Sequence, residues 1–121
     1  MIVTTTEDRI TATPNATMYG LAAPSVGSAE LSTWRVRMPA GNAGPEHVVD
    51  REQVFMPVSG SVEITVDGVA EVCGPGQAAV LPAGSTRRIA ALEDVEALVA
   101  MPAGATVTAD GREPGPLPWA V

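Results

Sequence analysis

The chain has no lysine, one histidine, one cysteine and four aromatic residues among its 121 positions. Each shortage excludes something. Without lysine there is no Schiff-base chemistry, and arginine is left as the only strong cation. The lone Cys73 excludes an internal disulfide and a cysteine-cluster metal site. With only Tyr19, Trp34, Phe55 and Trp119 as aromatics, the core must be built from Val, Leu, Ala, Ile and Met. Positive charge is also scarce, and the net charge is −7. Such an acidic surface repels a phosphate backbone, which excludes nucleic acid as a partner. No uninterrupted apolar run is long enough to span a bilayer, and no charged-then-apolar leader is present. The composition predicts a soluble cytoplasmic protein with no membrane partner.

What is abundant is punctuation. Twelve glycines and eleven prolines divide the chain into short segments rich in Val, Ile and Thr. No long window carries a helical apolar period, so the expected class is all-β, a sandwich or barrel. One domain over residues 1–121 follows from the length. Met1 to Ile10 reads as a leading strand and residues 11–28 as loop. Glu30 to Met38 is a strand in which Trp34, Val36 and Met38 alternate with Thr33, Arg35 and Arg37. His47 to Val58 is the next, with a break near Asp50-Arg51. Val62–Val66 and Val69–Cys73 flank Asp67-Gly68, the strongest hairpin signal in the chain. Ala78–Leu81, Thr86–Ala90 and Val95–Met101 complete the strands. The tail from residue 105 to 121 is too rich in proline for a central strand, and its Trp119 needs something to pack on. Eight to ten short strands joined by hairpins suit a double-sheet jelly roll.

Two stretches concentrate the polar groups. The first, Gly41 to Gly60, reads GNAGPEHVVDREQVFMPVSG and holds His47 among Glu46, Asp50, Arg51, Glu52 and Gln53. The second, Gly74 to Arg88, reads GPGQAAVLPAGSTRR. Gly74-Pro75-Gly76 lacks the lysine and the strand–loop–helix setting of a phosphate-binding loop, so it is a turn. Ser59 and Ser85 have no evident base nearby, and nucleophilic catalysis is not supported.

The two stretches resemble the paired motifs of the cupin superfamily. In the first, five residues separate Gly41 from His47, and six separate Gln53 from Gly60. In the second, five residues separate Gly76 from Pro82-Ala83-Gly84, and two more lead to Arg87. Motif one thus covers residues 41–60 and motif two residues 76–91. The resemblance implies a cupin-type double-stranded β-helix, that is, a jelly-roll barrel, and a homodimer. Cupins hold Fe, Mn, Ni or Zn through three ligands of motif one and one of motif two. Those four positions are here His47, Val49, Gln53 and Arg87. Valine cannot coordinate, an amide is a poor substitute for carboxylate, and a guanidinium repels a cation. The expectation is therefore no metal and no other cofactor.

What these residues do instead has several readings. His47 is an acid/base inside the barrel or the remnant of a lost metal site. Arg87, if it points inward, needs an anion, supplied by Glu46, Asp50 or Glu52 or by a ligand; otherwise it leans out of the barrel mouth. Gln53 orients His47, donates to a substrate oxygen or bonds to backbone. Trp34, Val36, Met38, Val49 and Phe55 line an apolar pocket or simply form core, and Cys73 is core. Three functions are compatible with this set. The first is a metal-independent, cyclase- or isomerase-like enzyme acting on a small, largely apolar carbonyl or carboxylate compound, with His47, Arg87 and Gln53 as catalytic residues. The second is a non-catalytic binding or sensor module. The third is a metal-dependent dioxygenase that recruits Glu46 or Asp50.

Overall fold

The computed structural model describes residues 1–109 and 111–121. Among them eleven strands form: β1 (Ile10–Ala12), β2 (Thr17–Gly20), β3 (Leu31–Met38), β4 (His47–Val49), β5 (Gln53–Ser59), β6 (Val62–Val66), β7 (Val69–Cys73), β8 (Ala79–Leu81), β9 (Thr86–Ala91), β10 (Val95–Pro102) and β11 (Val107–Ala109). They assemble into a six-stranded sheet in the order β1-β2-β3-β10-β5-β8 and a five-stranded sheet in the order β11-β4-β9-β6-β7. Every pairing is antiparallel. The two sheets face each other as a jelly-roll barrel. No helix among the described residues is long and apolar enough to cross a membrane.

Alternation explains the facing. In β3 Ser32, Trp34, Val36 and Met38 are buried while the residues between them are not. In β10 Val95, Ala97, Val99 and Met101 are buried in the same way. Trp34, Val36, Met38, Val49 and Phe55 all lie in the buried apolar cluster between the sheets, together with Val62, Ile64, Leu81 and Cys73. Each large side chain there contributes about 1.5–3 kcal/mol through removal from water. The Asp67-Gly68 turn has φ of +46° and +83°. Both central residues are left-handed, as a two-residue hairpin whose turn follows the strand twist requires.

Three expectations need correction. Met1 to Ile10 is not a strand: a 3₁₀ turn at Glu7–Arg9 precedes β1, and Ile2 is 93% exposed. β-Branched composition alone forms no strand without a partner to pair with. Residues 11–28 are not all loop, because β2 pairs with β3 and buries Met18. The break at Asp50-Arg51 does more than bend one strand: it sends β4 into one sheet and β5 into the other. The tail, as expected, supplies no central strand. β11 pairs with β4 at the edge of its sheet, where proline nearby is harmless.

Trp119, in a 3₁₀ turn at Pro118–Ala120, packs edge-on against Trp34 with ring centres 6.3 Å apart. Ser32 Oγ donates to the Ala120 carbonyl at 2.6 Å, and Ser25 Oγ to that of Val121 at 2.7 Å. The tail therefore seats on its own barrel, against β1, β2 and β3.

Candidate functional site

The strand registers bring the motif residues together. His47 and Arg87 are direct partners on the β4–β9 ladder. Ala109 pairs with His47, and Val66 with Arg87, so one row runs across the five-stranded sheet from β11 to β6. Gln53 reaches Arg87 from the opposite sheet.

Arg87 is wholly buried, at 0% exposure. Its Nη2 donates to the Pro82 carbonyl at 2.7 Å, to Ser85 Oγ at 2.9 Å and to the Ser85 carbonyl at 3.3 Å. Nε donates to the same Ser85 carbonyl at 3.4 Å, and Nη1 to Gln53 Oε1 at 3.4 Å. None of these partners carries a charge. Of the three carboxylates expected to pair with it, Glu46 and Glu52 are exposed. Asp50 binds Thr106, accepting from its amide at 2.8 Å and its hydroxyl at 3.0 Å. Ion pairs among the described residues occur only between Glu96 and Arg35 or Arg37, on the outer face. Burial lowers the pKa of the Arg87 guanidinium, while the charge of Asp67 raises it. A guanidinium in a protein stays charged regardless. The result is a buried cation held by carbonyl, hydroxyl and amide dipoles, with the Asp67 charge nearby but no ion pair among the described residues.

His47 is partly buried, and its Nδ1 lies 2.9 Å from the Pro45 carbonyl. A carbonyl only accepts, so Nδ1 carries the proton and the lone pair sits on Nε2. Burial lowers the imidazole pKa; the bond to Pro45 opposes that shift and the nearby Arg87 charge adds to it. The neutral ring is therefore favoured. Gln53 is buried, and its amide nitrogen has only the Met101 sulfur, at 3.9 Å, as partner. A thioether is a weak acceptor, so this N–H₂ is available to a better one.

Ser85, set aside in the sequence as a nucleophile without a base, has instead a role that was not expected, as a partner of Arg87. It is buried, and its hydroxyl donates to the Pro82 carbonyl at 2.7 Å while holding Arg87. Its position two residues before Arg87, in the turn that leads into β9, was the available signal. Arg88 faces outward and is exposed, with Nε 3.3 Å from the Gly44 carbonyl.

The metal-ligand positions of the motifs do not fit a metal. Val49 is buried and has no donor atom, and Arg87 brings a guanidinium, which repels a cation, against Gln53. No three His, Cys, Asp or Glu side chains come together in a metal-binding arrangement among the described residues.

Comparison with known proteins gives the same architecture. No curated protein matches the chain in sequence. Salicylate 1,2-dioxygenase from Pseudoaminobacter salicylatoxidans superposes with a TM-score of 0.74 at 16% identity, over 84% of this chain and 32% of that one. A variant of oxalate decarboxylase from Bacillus subtilis gives 0.75 at 16% identity, over 86% of this chain and 30% of that one. The chain thus spans about a third of the length of those two enzymes. The polyketide cyclase RemF from Streptomyces resistomycificus gives 0.73 at 19% identity, over 92% of this chain and 82% of that one. The Cupin domain family matches residues 34–102, more than half the chain and both motifs. With the jelly-roll barrel and the motif spacing already in place, this chain belongs to the cupin domain family.

Proposed function

We propose that the protein is a metal-independent cupin acting on a small, largely apolar molecule that bears a carbonyl or carboxylate, by cyclase- or isomerase-like acid–base chemistry. One observation carries the reading: Arg87 is fully buried and lacks an anionic partner among the described residues. A charge removed from water is costly unless it is paired, and a ligand oxygen bearing negative charge supplies the missing pair. The neighbouring groups extend this logic. Neutral His47, with its free lone pair on Nε2, accepts a proton and returns it. Arg87 and the Gln53 amide stabilise the enolate or oxyanion formed in between, in a dry setting where such contacts are strong. The five apolar side chains Trp34, Val36, Met38, Val49 and Phe55 form the packed apolar wall of the barrel behind these polar groups. The fold shared with RemF, a polyketide cyclase, hosts chemistry of this class.

A second reading, a non-catalytic binding or sensor module, is favoured by the lack of a carboxylate on His47 among the described residues. Among them only the Pro45 carbonyl bonds the imidazole. The readings part at His47→Ala: turnover lost with affinity kept indicates catalysis, and affinity lost alone indicates binding. The common premise is tested by thermal shift with small carboxylates and phenols on chelator-treated protein. Stabilisation that disappears in Arg87→Ala supports the premise, and stabilisation that persists refutes it.

The reading also takes the protein as a cytoplasmic homodimer. Exposed Leu31, Val58 and Leu98 on the outer face of the six-stranded sheet supply apolar contact surface.

A further inference from the structure

The two sheets each end in an edge strand, β7 in one and β8 in the other. Between them lies a cleft of about 230 Å³. Its walls include Ile64, Val66 and Leu81, inward-facing residues of the barrel rather than ordinary surface groups. Glu71, Gln77 and Ala78 stand at its exposed rim.

The registers lead from this cleft to the buried arginine. Val66 is the direct partner of Arg87 on the β6–β9 ladder, and Leu81 that of Gln53 on the β5–β8 ladder. Directly paired residues have Cβ atoms about 4.5–5.5 Å apart. Two of the cleft's lining residues are thus immediate neighbours of the two groups that want an acceptor. Nη1 of Arg87 carries two hydrogens and has one partner among the described residues, Gln53 Oε1, at 3.4 Å.

We propose that this cleft is the binding slot, and that its ligand is a small, flat, singly charged carboxylate with an apolar body. The inference rests on Arg87 as the anion anchor and adds where the ligand sits and what shape it has. The body lies between Ile64 and Val66 on one side and Leu81 on the other, and the carboxylate reaches Arg87 and Gln53. Size follows from the volume, which is below the ~300–1,000 Å³ of pockets for drug-sized ligands. Flatness follows from the setting, since a slot between two strand edges is thin in one direction. A single charge follows from the one guanidinium behind the slot, beyond Val66, the Glu71 carboxylate at the rim and the net charge of −7. Glu71 is exposed and screened by salt, so it filters more highly charged anions without excluding a monoanion.

The test is titration of benzoate into the ¹⁵N-labelled full chain, followed by amide chemical shifts. Saturable shifts are expected at Ile64, Val66, Ala79 and Leu81. Ala79→Phe, which fills the slot from β8, abolishes them. Ala78→Trp, at an exposed rim position that makes no core contact, does the same without threatening the fold. Arg87→Gln weakens binding about tenfold or more through loss of a charge-assisted hydrogen bond. Shifts confined to His47, Val107 and Ala109, with binding unaffected by the two filling variants but lost in Arg87→Gln, overturn the slot and leave the proposed function standing. Binding unchanged in Arg87→Gln as well overturns both. No saturable shift in the wild-type protein overturns the slot as a site for flat carboxylates, while the wider reading rests on the other carbonyl compounds.

Discussion

Across the ladder joining β4 and β9, His47 stands directly opposite Arg87. A titratable imidazole and a permanent cation therefore share one row of one sheet, and their mutual repulsion adds to burial in keeping the imidazole neutral. Most of the behaviour expected of this protein follows from that pair and from the groups that hold the arginine.

Replacing Arg87 separates its structural from its chemical role. Arg87→Ala leaves a cavity and strips hydrogen bonds from Ser85, and about 2–4 kcal/mol of stability should be lost. Arg87→Met keeps the volume and removes a buried charge, a change that is often close to neutral. Chemical denaturation should show Arg87→Met clearly more stable than Arg87→Ala, with both unable to bind the ligand.

Ser85 positions Arg87 through Nη2 at 2.9 Å. Ser85→Ala should cost about 1–2 kcal/mol and weaken anion affinity, because it removes a buried acceptor from a charged donor. Ser85→Thr keeps the hydroxyl and should restore the affinity. A merely structural serine would lower stability without moving the dissociation constant, which calorimetric titration reads directly.

The His47 ring dictates a pH dependence. Its folded pKa is depressed below the ordinary value of about 6.5. In the window between the depressed value and 6.5 the unfolded chain binds more protons than the folded one, so stability rises with pH there and levels off above it. Asp50, also depressed, acts in a separate and more acidic window, below its ordinary carboxylate value, where its stabilisation is lost as pH falls. Melting curves from pH 5 to pH 7.5 should rise for the wild-type protein and rise less for His47→Gln.

Gly60 closes the first motif, and its role there is steric. It has φ of +73°, and a Cβ at this position would overlap the carbonyl oxygen of Asp94. Gly76, which opens the second motif, has φ of +84° with open space around it. Gly76→Ala should cost about 1–2 kcal/mol, the left-handed penalty alone. Gly60→Ala should cost substantially more and shift the β5–β6 turn, as denaturation midpoints of the two variants would show.

Much of the barrel was legible because its code is short-range. The alternation in Leu31–Met38 and Val62–Val66, and the two-residue turn between Val66 and Val69, are set by neighbours in sequence. Gly41, His47, Gln53, Gly60 and the Pro82–Arg87 run are legible for a related reason, since spacing survives where side chains have changed. Tertiary choices were not legible. Ile2 to Thr6 has every local preference for a strand, yet no strand pairs with it. β2 buries only Met18 and Gly20, too little to mark it. The partners of Arg87 are two carbonyls, a hydroxyl and an amide, and no charge pattern in a sequence announces uncharged partners. The carboxylates nearest to it in motif one, conspicuous in the sequence, turn outward or bind Thr106.

The central claim is that a buried arginine has replaced the metal at this cupin site. Elemental analysis of the protein, purified without chelators and dialysed, addresses it most directly. Transition metal well below one ion per chain is the predicted result, unchanged in Arg87→Met. One ion per chain retained through dialysis, and lost in His47→Ala, would contradict the account.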